Sequence, residues 1–272
     1  MKREHLAPAA AESKKERRGI QSVEVGGQLL VALVEQGSAM LLRELAQKAG
    51  MTSAKAHPYL VSFGNLGLIQ QDPVSGRYEL GPFALQMGLI SLQRLDPVKI
   101  AIPEVAALSE RVGHTIALAV LGNNGPTIIH LNESHHAIHV KMRTGTVVST
   151  LHTATGRVFS AYLPPKTVEK LVSRESANPE DGTGHALKKP GKAEIGRMLA
   201  EVRQHGLARS IGEPTAGIHA LSAPVFDHLG NIALAVTAIG PAGSLDADWD
   251  GDTAKHIREC AQRISARMGY QG

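Results

Sequence analysis

Thr52, Ser53, Ala54, Lys55 and His57 form one short run of small or cationic side chains, and Arg77 follows further along. Small groups let a backbone approach base edges closely, and cations meet phosphate oxygens. A second set, His130, Glu133, His135, His136 and His139, has metal-ligating residue types. His135 and His139 stand four apart, a spacing that aligns ligands only on a helix. Residues 138–140 instead read as a strand after a turn, where alternate side chains point apart, so no metal is expected. The chain contains no GxSxG, P-loop or GxGxxG in a proper context, and Cys260 lies in a helical pattern without an evident histidine partner. Neither catalysis nor a cofactor is expected.

The elements that must position the first set are legible from punctuation. Leu42, Leu45, Ala46 and Ala49 recur at helical steps, Gly50 suits a left-handed cap, and Thr52 suits an N-cap for a second helix. That second helix places Ala56, Tyr59, Leu60, Phe63 and Leu66 on one side, and Gly67 ends it. Residues 68–70 and 77–80 alternate like two short strands around Asp72-Pro73-Val74-Ser75-Gly76, a run of turn-forming residues. With the helix predicted over residues 23–34, this is the order of a winged helix-turn-helix, which lays its second helix in a major groove. Pro58 interrupts that helix beyond its first turn. It cannot donate to the Ala54 carbonyl, and a bend is predicted, an interior proline costing about 3 kcal/mol.

The chain has 272 residues and a net charge of +4, and residues 1–80 hold ten Lys and Arg against eight Asp and Glu. The proposed DNA domain is therefore barely basic. Its excess is local, in Lys14, Lys15, Arg17 and Arg18, an arm that reads either as a solvated tail or as extra phosphate contacts. One cysteine excludes an internal disulfide. No apolar run reaches the roughly eighteen residues of a membrane span, and the polar N-terminus lacks a signal-peptide core. A cytoplasmic, membrane-free protein is expected. Aromatic residues at 3 % make a stacking platform for single strands a poor fit.

The organisation expected is a disordered arm over residues 1–19, the winged domain over 20–81, a linker helix over 82–97 and a larger domain over 98–272. Phe83, Leu85, Met87, Leu89, Ile90 and Leu92 make the linker helix so apolar that another subunit is expected to cover it. The last domain reads as strands near 115–121, 127–132, 138–143, 208–211, 218–225 and 232–239. Helices are expected near 100–112, 154–163, 166–173, 192–206 and 254–268, and residues 176–190 read as a loop. The fold class is α+β, an antiparallel sheet flanked by helices.

At this point the chain resembles the IclR family of bacterial transcription regulators. The resemblance rests on Gly206, Ser210, Glu213, Ala220-Leu221-Ser222 and Val225-Phe226-Asp227, on His152-Thr153-Ala154-Thr155-Gly156-Arg157, and on Gly76-Arg77-Tyr78-Glu79-Leu80-Gly81. It implies a homodimer or tetramer on a palindromic double-stranded DNA operator, with a small-molecule effector in a GAF-like C-terminal domain. It further implies an effector site at Ala154, Thr155, Ser210, Ala220 and Thr237. A helix N-terminus at Ala154 would seat a carboxylate, hydroxyls of Thr155, Ser210 and Thr237 would orient it, and Val147 and Leu221 would line the walls. Where the family carries Ser-Thr and later Arg in the recognition helix, this chain has Ala54, Lys55 and Pro58. His219 reads equally as a ligand group or a satisfied core polar. The rival reading is a small-molecule-binding or catalytic domain whose N-terminal helices serve only oligomerisation.

Overall fold

The computed structural model describes residues 19–134, 142–177 and 190–272. The chain divides into two compact units between Arg94 and Leu95. The arm cations Lys14, Lys15, Arg17 and Arg18, the histidines His135, His136 and His139, most of the strand expected at 138–143 and most of the loop at 176–190 lie outside the described residues.

The first unit packs α1 (Gln21–Gln36), α2 (Leu42–Lys48) and α3 (Ser53–Asn65) against a hairpin of β1 (Ile69–Gln71) and β2 (Tyr78–Leu80). Its core is Leu29, Leu33, Leu45, Ala46, Ala56, Leu60, Ile69 and Tyr78. Gly50, at φ +68°, makes the left-handed turn that separates α2 from α3, a region L side chains avoid. The hairpin register pairs Ile69 with Leu80 and Gln71 with Tyr78, and a bridge from Met40 to Tyr78 ties it to the chain before α2. Asp72 organises the turn by accepting from the Val74 and Ser75 amides at 2.9 and 2.6 Å and from the Ser75 hydroxyl at 2.9 Å. One expectation changes here. Leu66, expected on the buried side, is 60 % exposed because it caps α3 rather than continuing it. Pro58 lies inside α3, which is helical from Ser53 to Asn65.

α4 (Pro82–Gln93) closes this unit with Pro82 in its first turn, and none of its residues is buried. It is apolar all round, so no face of it distinguishes a core side from a solvent side.

In the second unit, α5 (Pro97–Val112) starts at a proline, three residues before the expected start. The Asp96 carboxylate caps it, accepting from Val98 and Lys99 at 3.0 and 3.1 Å. The sheet contains β3 (Thr115–Gly122), β4 (Gly125–Asn132), β5 (Ala208–Ile211), β6 (Ile218–Phe226) and β7 (Ile232–Pro241). Its order is β4-β3-β7-β6-β5, antiparallel throughout.

Helices cover both faces. On one, α5 and α9 (Asp252–Arg267) pack Val105, Leu108, Ile257, Cys260 and Ile264 against Ile116, Leu118, Leu221, Val225, Leu234 and Val236. Burial pushes the Cys260 thiol up to about 11. On the other face, α6 (Ala154–Tyr162) and α8 (Lys192–His205) set Val158, Phe159 and Val202 against Ala117, Ala119, Ala235 and Ile239. α7 (Pro165–Ala177) follows α6 directly. Beside the edge strand β5, Trp249 stacks on His205 with ring centroids 4.2 Å apart, and the Arg209 guanidinium lies 4.4 Å from the indole centroid. Arg258 fixes both rings from behind, donating to the His205 and Trp249 carbonyls at 2.9 and 2.6 Å.

Candidate functional site

The N-terminus of α3 is capped as its sequence dictates, with the Thr52 hydroxyl accepting the Lys55 amide at 3.3 Å. Thr52, Ala54, Lys55 and His57 are exposed and Ser53 is half-buried, so this run is presented on one outward-facing stretch. Neither Lys55 nor His57 has an ion-pair partner among the described residues. Arg43, which the sequence reading passed over, is a further exposed cation on α2. Its position beside the buried Leu45 and Ala46 was the available signal.

Arg77 is placed differently from Lys55. Its guanidinium donates to the Ala39 carbonyl at 3.1 Å and lies 3.5 Å from the Glu44 carboxylate, which also accepts the Leu41 amide at 3.0 Å. The residue therefore staples the wing to the start of α2, with its side chain 43 % exposed.

In the second unit the sequence 149–156 folds into a tight cup at the start of α6. Thr153 caps the helix, accepting the Gly156 amide at 3.0 Å and donating to the Ser149 carbonyl at 2.7 Å. A side chain on Gly156 would collide with the Ser149 and Thr150 backbone oxygens, so glycine is required for this approach. Glu175 holds the same loop from α7, accepting the Ser149 hydroxyl and, at 2.9 Å, the Thr150 amide.

Between α6 and the sheet lies a chain of three buried hydroxyls. Thr155 and Thr237 are 2.8 Å apart at their oxygens, and Thr237 and Ser222 are again 2.8 Å apart. All three residues are at most 4 % exposed. Three hydroxyls carry three protons, and the two bonds between them use two. The third proton is left on one of the three oxygens.

The structure thus joins Thr155 to Thr237 beside the buried Ala154, and adds Ser222. Ser222 was legible as the residue two beyond Ala220 on one strand, hence on the same face. Ala220 is half-buried between its register partners Ser210 and Ile239. Ser210 does not enter the chain, because its hydroxyl donates to the Glu213 carbonyl. Leu221 faces the opposite core with α5 and α9, as strand alternation requires, and so lines no wall of this site. Val147 is 45 % exposed. His219 is held by the Leu245 carbonyl at 3.2 Å, the satisfied-polar alternative.

Arg157, one turn into α6, locks the region together. It donates to the Leu151 and Arg209 carbonyls at 2.8 and 2.7 Å and lies 3.3 Å from Glu213. Burial lowers its pKa from the usual value while Glu213 pulls it back up.

With two such sites on a winged domain and a helix-covered antiparallel sheet, the molecule has the architecture of a DNA-binding regulator with a sensor domain. A family model of the IclR helix-turn-helix domain matches residues 22–73, and one of the bacterial transcriptional regulator IclR C-terminal domain matches residues 90–266. The chain belongs to the IclR family of DNA-binding transcriptional regulators. The crystal structure of Pseudomonas aeruginosa HmgR is 35 % identical with a TM-score of 0.85, covering 93 % of this chain and all of that one. The glycerol operon regulatory protein of Streptomyces coelicolor is 26 % identical across 93 % of this chain and 98 % of its own length. The transcriptional repressor IclR of Escherichia coli is 25 % identical across 92 % and 90 %. Among the described residues no helix is long and apolar enough to cross a membrane.

Proposed function

We propose that this regulator binds a palindromic DNA operator as a homodimer or a tetramer built from such dimers, and that a small organic acid held at the start of α6 modulates that binding. The observation that carries the effector reading is the hydroxyl chain Thr155–Thr237–Ser222. On a sheet face otherwise lined by Ala117, Ala119, Ala235 and Ile239, it gathers three hydroxyls with one proton to spare, and Thr155 among them stands in the first turn of a helix. A carboxylate accepts such a proton and is favoured by the helix dipole. An IclR homolog from Microbacterium hydrocarbonoxydans, 18 % identical with a TM-score of 0.51, was solved with 4-hydroxybenzoate, which supports this ligand class.

The DNA reading assigns Thr52, Ser53, Ala54, Lys55 and His57 to the groove face of α3 and Arg43 to phosphate. Arg77 acts chiefly by fixing the wing. The unburied apolar α4 supports association of two copies, and two-fold symmetry matches a palindromic site. The assignment is to a non-catalytic protein acting on cytoplasmic DNA.

The test is binding to the intergenic DNA beside the protein's own gene, titrated with salt and with a panel of small aromatic and aliphatic carboxylates. Selective binding with a steep salt slope is expected, shifted by one acid by about 5- to 150-fold. Thr155→Val should remove that shift and leave effector-free DNA binding in place. Equal affinity of every acid for the free and DNA-bound protein would sink the effector reading.

A further inference from the structure

The ridge of α3 that points directly away from the core carries no polar side chain over its first two turns. Ala54, Pro58 and Val61 follow at i, i+4 and i+7, opposite the buried Ala56 and Leu60. Ala54 and Pro58 are exposed, and Val61 is 49 % exposed. The polar groups stand on the flanks, with His57 on one side and Lys55 and Ser62 on the other. Ser62 is already committed, donating its hydroxyl to the Pro58 carbonyl at 2.9 Å. A proline and two aliphatic residues can neither donate to nor accept from a base edge through their side chains. The one apolar feature a major groove offers is the C5-methyl group of thymine.

We infer that this ridge reads thymine methyl groups, so that the operator half-site carries T·A pairs along the first two turns of α3. The inference rests on the reading of α3 as the groove helix. Short side chains at all three positions let the helix lie deep enough for methyl contact, and Lys55 and His57 fix its register from the flanks. The same geometry gives Pro58 a use: its ring adds apolar surface at the centre of the ridge. A protein partner fits this surface less well, because a narrow apolar strip flanked by Lys55, on a helix without a carboxylate, complements a polyanion.

The experiment selects bound duplexes from a random pool with the full-length chain. It then measures affinity for the selected site with each thymine replaced in turn by deoxyuridine, which removes only the methyl group. Loss of about fourfold is expected at each contacted thymine, the worth of one buried methyl. In Val61→Ala the penalty at one thymine should vanish while those at the others persist. Val61 is exposed, so the variant keeps its fold, checked by circular dichroism. Selective binding that is indifferent to deoxyuridine, or a half-site without T·A pairs under α3, overturns the inference and leaves the regulator reading standing. No selective binding at all overturns both.

Discussion

The two units depart from the ordinary distribution of polarity in opposite senses. On α3 an apolar ridge of Ala54, Pro58 and Val61 faces outward, whereas between α6 and the sheet of the second unit the hydroxyls of Thr155, Thr237 and Ser222 are sealed inside. Exposed aliphatic residues and isolated buried hydroxyls are each commonplace alone. Set in a row at one place, they are the features on which the operator and effector proposals rest. The outer ridge costs the chain little stability, while the inner chain holds only as long as each hydroxyl has its neighbour. α4 extends the first case to a whole helix. It follows β2 with no buried residue, although α5 just after it buries Ala101, Val105 and Leu108.

That contrast can be broken most severely at α4. Leu85 and Leu89 are 65 % and 51 % exposed. If a second copy covers them, Leu85→Glu with Leu89→Glu forfeits about 1 kcal/mol at each of the four positions in the dimer, a roughly thousandfold weaker dimer. Sedimentation equilibrium should then show monomers where the parent chain shows dimers. A monomeric parent chain would dismiss the cover. Next in size comes Thr237→Val, which removes the middle of the hydroxyl chain and strands Thr155 and Ser222. About 2 kcal/mol should be lost in urea unfolding followed by circular dichroism. Val61→Ala on the outer ridge should stay within about 0.5 kcal/mol in the same assay. Equal losses for the two would erase the distinction between inner and outer departures.

The smallest effect lies in the wing. The Ser75 amide, then its hydroxyl and the Val74 amide, hold the Asp72 carboxyl below its ordinary 3.8. A depressed folded value means the stabilisation is present above the unfolded pKa and is lost as pH falls through the folded one. The Ser75 amide resonance should therefore move with a midpoint below 3.8. Asp72→Asn should abolish that acid transition. A midpoint at or above 3.8 in the parent chain would contradict the hydrogen-bonded turn.

The winged unit was largely legible in the sequence because its breaks are chemical. Gly50, Gly67 and the Asp72–Gly76 turn mark where each element must stop, and Thr52 announces the start of α3. The strand at 208–211 and the final helix were legible for similar reasons. What escaped depends on how elements meet. Arg77 reads as a free wing cation until the hairpin folds against α2 and the Ala39 carbonyl claims it. Leu221 was set in the effector wall although it alternates with Ala220 and Ser222, a matter of strand period that sequence already contained. Pro58 stands at an exposed position, where it deprives only the Ala54 carbonyl of a donor, and the helix runs on to Asn65. The link between Thr155 and Thr237, 82 residues apart, required the sheet itself.

The stack at the edge strand has an optical consequence. Trp249 is the only tryptophan in the chain. Red-edge excitation therefore addresses a single chromophore, pressed between an imidazole ring and a guanidinium in the second unit. Arg209 supplies that guanidinium and also the backbone carbonyl gripped by Arg157, whose helix begins at the hydroxyl chain. The emission of this regulator is thus a local signal from one end of β5, silent about the winged unit. No dye or label has to be introduced to listen to it.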